Sequence, residues 1–403
     1  MVFIGIQSRR QQMRDVVVLS AVRSAVGGFG GSLSSLEPSE LGGMVMKEAI
    51  ARSGADPALM NYVVVGNCVP TESRSPYVSR VASIQAGLPM SSVALTINRL
   101  CGSALQAVVS SSQNILLGDS DYGIGGGVEV MSRGGYLSQA MRNGARMGDT
   151  KLIDMMVAVL TDPFGVGHMG ITAENLATKH NLSREDQDAF ALESQNRAAK
   201  AIAEGRFKDQ IVPITISTRK GDVTFDTDEH PRATTMEALA KMKPAFKKDG
   251  SVTAGNASGI NDAAAFLVLA EAGVAARHGQ KPLARVAGYA VAGVPNEIMG
   301  EGPIPATKIA LERAGLKLDQ IDVIESNEAF AAQALSVTKV LGFDPAKVNV
   351  NGGAIALGHP VGATGAIIAT KCIHELHRTG KRYGLATMCI GGGQGIAVVF
   401  ERL

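Results

Sequence analysis

Three short stretches of this 403-residue chain carry side chains suited to nucleophilic and acid–base chemistry. Cys101 lies within NRLCGSALQAVVSSSQNILLG (98–118), just after the apolar run at 91–97. Gly102 and Ser103 follow it, then Ala104, Leu105, Val108, Val109 and Leu116 at helical spacing. That order predicts strand, tight turn, helix. A thiol at a helix mouth meets free N–H groups and the positive end of the dipole, so a lowered pKa and a nucleophilic thiolate are expected. A buried, inert cysteine fits the same turn, and its partners must decide. GHPVGATG (358–365) sets His359 between glycine and proline, a bracket that holds an imidazole in one direction. MCIGGGQG (388–395) sets Cys389 before three glycines at a strand end, where bare N–H groups can line a small anion pocket.

The elements that must position these residues repeat. Residues 40–69 read as helix, turn, strand, and residues 305–330 have the same layout. Gly54 and Gly315 end the helices; Asn67 and Asn327 end the strands, thirteen and twelve residues further on. Residues 98–132 and 349–400 continue the correspondence, with Gly125, Gly126 and Gly127 answered by Gly391, Gly392 and Gly393. A repeat of about 260 residues is no solenoid. It predicts an α/β fold of two similar βαβ-type domains in a layered core, with buried and largely parallel strands. A site between such halves draws one loop from each.

The expected division is an extension at 1–14, a first domain at 15–132 plus 252–283, an inserted loop domain at 133–251, and a second domain at 284–403. The insertion collects Met, His and charge clusters and reads as a lid, an assembly surface or scaffold. Within it Ser183 and Asp186 form a capping-box pattern that predicts a long amphipathic helix.

Composition narrows the function. Lys and Arg number 39 against 37 acids, a net charge of +2, which argues against a nucleic-acid binder. The four cysteines show no CxxC spacing, and reduced thiols are expected. Apolar runs such as that at 263–270 fall short of the ~18 residues a membrane helix needs. The first fourteen residues are basic, but their apolar run is too short for a secretory signal. The glycines at 123–127 lack the last glycine of a dinucleotide fingerprint, and no P-loop follows any glycine run. His374 and His377 do not have zinc-protease spacing and read as a polar helix end, so no catalytic metal is expected.

Taken together, NRLCGSA around Cys101, NxxGGxxxxGHPxGxTG from 349 to 365 and the Cys-Ile-Gly-Gly-Gly run at Cys389 resemble the motifs of the thiolases, the acetyl-CoA C-acetyltransferases. NEAFA (327–331), HMGITAEN (168–175) and TAGNASGINDAAA (253–265) extend the resemblance over nearly the whole chain from residue 15. It is similar in kind to the bacterial β-ketothiolases that feed polyhydroxyalkanoate synthesis. Ala104, where the motif commonly has glycine, is the one departure.

The resemblance implies a thiolase fold and a homotetramer of tight dimers in the cytoplasm, with acyl-CoA thioesters as substrates and no permanently bound cofactor, nucleic acid or membrane. It implies that Cys101 carries the acyl group, His359 accepts its proton and Cys389 removes an α-proton. His359 with a water held by Asn327 would form one oxyanion hole, and the N–H groups of Cys101 and Gly391 the other. Ser258 would contact the pantetheine and Arg232 would lie near the adenine end of coenzyme A. His168 would sit beside the thioester, with Met169, Phe246 and Phe330 as apolar walls. A decarboxylating ketoacyl synthase shares the implied fold and nucleophile but needs a second histidine where Cys389 stands. A noncatalytic relative of the fold is expected to lack one of Cys101, His359 and Cys389.

Overall fold

The computed structural model describes residues 14–403, so the extension expected at 1–14 lies, except for Arg14, outside the described residues. Nine strands form the main path of a single sheet: β1 Val16–Ser24, β2 Tyr62–Gly66, β3 Val93–Ile97, β4 Tyr122–Val130, β5 Asn261–Glu271, β6 Ala284–Gly293, β7 Val323–Ser326, β8 Tyr383–Ile390 and β9 Gln394–Arg402. Their order is β7-β8-β9-β6-β1-β5-β4-β2-β3. The halves join at β1 and β6 through a short ladder, Val17 opposite Arg285 and Val18 opposite Ala284. The helices that matter for the site are α1 Pro38–Ser53, α2 Ser103–Leu117, α3 Met169–His180, α4 Arg184–Ala203, α5 Pro303–Ala314, α6 Ala331–Leu341 and α7 Thr364–Thr379.

Alternation along the strands sets the layers. On β5, Ala263, Ala265, Leu267 and Leu269 face α2 and α7; Ala264, Phe266, Val268 and Ala270 face the opposite way, toward α1. On β9, Ile396, Val398 and Phe400 join the same central cluster, and Ala397 and Val399 turn out to α5. Helices α2 and α7 are therefore a shared filling between the half-sheets, with α1 and α5 as outer covers. A one-residue slip in any of these strands would exchange its two faces.

Three expectations need correcting. The strands are not largely parallel: β2 pairs in parallel with β3 and β4, and β7 with β8, while every other ladder on the main path is antiparallel. The antiparallel strands enter through reversals such as the turn between Ile390 and Gln394, which needs no crossover helix. The two glycine triplets are not equivalent. Gly391, Gly392 and Gly393 form that turn, with φ of 80° and 87° at the last two. Gly125, Gly126 and Gly127 lie inside β4, where a Cβ on Gly125 would stand 2.6 Å from Val108 Cα and one on Gly127 2.0 Å from Gly362 O.

Nor do Asn67 and Asn327 correspond. Gly54 and Gly315 do end their helices in the left-handed region, but counting twelve residues from each reaches Gly66 and Asn327. Gly66 faces Ser103 and Ala104 of the central layer. In β7, Val323 faces that layer and Ile324 faces away, so alternation brings Asn327 to the inner side. The one-residue difference in spacing is thus a difference of face.

The predicted capping box is present. Ser183 Oγ accepts from Asp186 N–H (3.0 Å) and Asp186 Oδ2 accepts from Ser183 N–H (2.9 Å), and α4 follows for twenty residues. A buried ion pair between Arg23 and Asp228 (2.6 Å) ties this region to β1. Among the described residues no helix is long and apolar enough to cross a membrane.

Candidate active site

The predicted strand, turn and helix around Cys101 are β3, the loop at 98–102 and α2. Asn98 Oδ1 accepts from Leu100 N–H (2.9 Å), and Leu100 takes a φ of 47°, unusual for a branched side chain. This turn presents Cys101 to a cavity. Gly102 lets it approach β8, since a Cβ there would stand 2.5 Å from Ile390 Cδ1. Ala104 fits because its methyl lies over Gly127, which has no Cβ of its own.

The cavity encloses ≈ 410 Å³ and is lined by Cys101, His359 and Gly391, together with His168, Met169, Arg232, Phe246, Ser258 and Phe330. Every residue expected to contact coenzyme A borders it. His168 caps α3, its Nδ1 accepting from Gly170 N–H (3.1 Å), and stacks on Phe246 at 4.6 Å. Ser258 Oγ donates to Ala329 O (3.0 Å), and Arg232 Nη2 donates to Ala254 O (2.9 Å). Cys389 and Asn327 do not border the cavity. Cys389 lies beneath its wall, in one apolar cluster with Met169, Ala257 and Phe330, near enough to Cys101 that a charge on that sulfur raises its pKa.

His359 is held as its bracket predicts. Its N–H donates to Asn261 Oδ1 (3.0 Å). Gly358 has φ of 101° and a Cβ there would meet Asn261 Cγ at 2.5 Å, so only glycine serves. Thr364 Oγ1 donates to Pro360 O (2.9 Å), which leaves that oxygen to accept from His359 Nδ1 at 2.7 Å. The proton is therefore on Nδ1, and Nε2 keeps a lone pair with no partner among the described residues. Burial pushes the imidazole down to about 4, so it is neutral at physiological pH.

The electrostatics of Cys101 reverse the expectation from its helix. Burial pushes the thiol up to about 11; the backbone N–H groups of Gly391 and of Cys101 itself offset only part of this, and the Glu129 carboxylate raises it further. Desolvation is the largest cause. Cys101 is thus a thiol at neutral pH, and its ionisation calls for a base such as a neutral imidazole. Burial likewise raises Cys389 above the ordinary thiol range.

Several residues of this neighbourhood escaped the sequence reading. Thr364, which sets the imidazole tautomer, stood unremarked within GHPVGATG. Glu129, fully buried, accepts from Asn67 Nδ2 (3.0 Å), Cys68 N–H (2.9 Å) and Val69 N–H (3.1 Å), and burial pushes it up to about 7. A lone carboxylate in the apolar run YGIGGGVEV was its only signal. Asn327 directly follows β7, with both side-chain polar atoms buried and without a partner among the described residues. Among the described residues no group of three or more His, Cys, Asp or Glu could hold a metal ion.

A duplicated fold with a thiol and a neutral imidazole bordering one cavity is the equipment of an acyl-transferring enzyme. The chain belongs to the thiolase family: residues 16–273 match the thiolase N-terminal domain and 280–402 the thiolase C-terminal domain. It is 59% identical over 392 residues to the beta-ketothiolase BktB of Cupriavidus necator, covering 97% of this chain and all of that one. It is 51% identical over 393 residues to an acetyl-CoA acetyltransferase of Pseudomonas aeruginosa, covering 97% of this chain and 100% of that one. The solved structure of human mitochondrial 3-ketoacyl-CoA thiolase in complex with CoA superposes with a TM-score of 0.94 at 43% identity, over 97% of this chain and 98% of that one.

Proposed function

We propose that this chain is an acetyl-CoA C-acetyltransferase, a β-ketothiolase, which condenses two acetyl-CoA to acetoacetyl-CoA and CoA by a reversible, ping-pong Claisen reaction. The observation that carries this reading is Cys101 and Gly391 bordering the same cavity as His359, whose Nε2 has no partner among the described residues. Cys101 sulfur attacks the first thioester while His359 Nε2 takes its proton. The bond from carbonyl carbon to CoA sulfur breaks, and His359 returns the proton to the leaving thiolate. His359, neutral again, takes the thiol proton of Cys389, and the resulting Cys389 thiolate removes an α-proton from the second acetyl-CoA. The carbanion attacks the acyl carbon, a C–C bond forms, the bond to Cys101 breaks, and the Cys101 thiolate takes the proton back from His359.

The raised pKa of Cys389 suits its role, because a more basic thiolate is the better acceptor for a weakly acidic C–H. One oxyanion would sit on the N–H groups of Cys101 and Gly391, the other on His359 and a water held by Asn327. Ser258 and His168 would position the pantetheine and its thioester, Arg232 would serve the adenine end, and Met169, Phe246 and Phe330 would form the apolar walls. The substrates themselves are coenzyme A thioesters, and the chemistry calls for no resident cofactor. The test is acyl-enzyme labelling. Cys101→Ala abolishes it, whereas Cys389→Ala retains labelling and loses condensation; if neither variant behaves so, the assignment fails.

Longer 3-ketoacyl-CoA substrates are part of the proposal. A second cavity of ≈ 210 Å³ shares Met131, Leu160, His168 and Ile260 with the first and gives an acyl chain on Cys101 somewhere to extend. Thiolysis rates for four-, five- and six-carbon 3-ketoacyl-CoA measure how far it reaches. The same reading takes 15–132 with 252–283, and 284–403, as the catalytic domains, 133–251 as a lid, and the cytoplasm as the location. A homotetramer built from dimers is supported by exposed Val93 and Leu95 on edge strand β3, and by exposed Tyr136, Leu137 and Ile153 in the insertion. Light scattering of the purified protein decides this.

A further inference from the structure

Behind the catalytic loops lies a second polar centre that the proposed reaction does not use. Lys371, on α7, is buried; its Nζ donates to Glu325 Oε2 (2.7 Å) and to Gly352 O (2.6 Å). An ammonium has three protons, and two are placed by these contacts. Among the described residues Glu325 Oε1 has no partner, and neither has Asn327 Oδ1 or Nδ2. Glu325 and Asn327 stand two residues apart at the end of β7, on the face turned to α7. All three residues border one void of ≈ 10 Å³, about the room of a single water. Gly358 and Thr364 border it too, so its far wall is the back of the loop that carries His359.

We propose that Glu325 and Lys371 are positioning residues for Asn327, acting through one ordered water held in this void. A void lined by unpartnered polar groups takes up water, whereas an apolar one stays dry. The remaining Lys371 proton and the free Glu325 oxygen fix that water's orientation. It accepts from the ammonium and donates to Oε1, which leaves its second proton for Asn327 Oδ1. The amide then turns its NH₂ group toward the reaction side. Among the described residues no protein group makes that choice, because neither end of the amide has a partner there. The ion pair acts as the reference that orients the Asn327 donor, and the inference rests on the role proposed for Asn327 above.

The experiment compares Glu325→Gln/Lys371→Met, Asn327→Ala and the triple variant with the unmodified enzyme in thiolysis of acetoacetyl-CoA. Removing both charges together avoids stranding one of them in the core. The expected result is a kcat lowered about tenfold in the paired variant, with KM within about twofold, and a triple variant no slower than Asn327→Ala. An unchanged kcat, or losses that multiply in the triple variant, overturns the inference and leaves the role of Asn327 standing. An Asn327→Ala enzyme of full activity removes that role and this inference with it. Should the paired variant not fold, diffraction from the unmodified protein decides: a water bridging Glu325 Oε1 and Asn327 Oδ1 supports the inference, and a void without water overturns it.

Discussion

Replacing Thr364 by valine keeps the shape of the side chain and removes the one acceptor of His359 Nδ1–H among the described residues. In the intact protein the Thr364 proton is committed to Pro360 O, so the oxygen can do nothing but accept from the ring. Without it a buried N–H is unsatisfied, a penalty of about 1–3 kcal/mol. The ring escapes that penalty by moving its proton to Nε2 or by rotating. Either response takes the lone pair away from the position facing the cavity. With a tenfold change in rate for each ~1.4 kcal/mol, kcat is expected to fall about 5- to 150-fold, while KM changes less than about threefold because no substrate contact is lost. Thr364→Ser retains the hydroxyl and is expected within about threefold of the unmodified enzyme. Steady-state thiolysis gives the rates, and ¹⁵N shifts of the imidazole report the tautomer. A valine variant with unmodified kcat and the proton still on Nδ1 would refute the reasoning.

Acid stability follows from His359. Its folded pKa of about 4 lies below the unfolded value of 6.5, so the unfolded chain binds the extra proton and stability falls as pH drops from 6.5 through 4, by about 3 kcal/mol in full. Urea midpoints at pH 7 and pH 4.5 are expected to differ less in His359→Asn; equal differences would discount this group. Glu129 runs the other way: raised from 4.5 to about 7, it withdraws stability as pH climbs through that window. Gly358→Ala forces a Cβ onto Asn261 at a φ of 101°, and about 1–3 kcal/mol of backbone strain plus the clash should appear as a lower Tm and a kcat reduced at least tenfold. Gly102→Ala presses on Ile390 Cδ1 at a cost of about 1–3 kcal/mol, and adding Ile390→Val should restore part of both Tm and rate. No recovery would mean that this contact is not the cause.

The turn chemistry was legible in the sequence, and the motifs pointed to some of the residues that border the cavity, among them Cys101, His359 and Gly391. Glycines around His359, a cysteine at a helix mouth and a capping box at Ser183 are local signals whose meaning survives folding. Signs and faces were not legible. The helix terminus beside Cys101 predicts a lowered pKa, but burial within the folded chain raises it, and the Gly391 N–H from the other half offsets only part of that rise. The duplicated layout made Asn67 and Asn327 look alike, yet one residue of spacing separates an asparagine bonded to Glu129 from one with no partner among the described residues. Glu129 and Lys371 are ordinary charged letters until the loop at 67–69 and the end of β7 fold over them. Strand direction was misjudged because helix-strand alternation reveals neighbours in sequence, not the reversals that bring β5 and β9 home.

Helices α2 and α7 fill both half-sheets at once, and this removes the autonomy that duplication would otherwise confer. A fragment severed near residue 280 would keep its own strands but lose the opposing roof over its inner surface, and would cling to the nearest oily partner available. Two such fragments made in the same cell ought to find each other and rebuild the whole, which makes the link between them a natural place for circular permutation or for a split reporter.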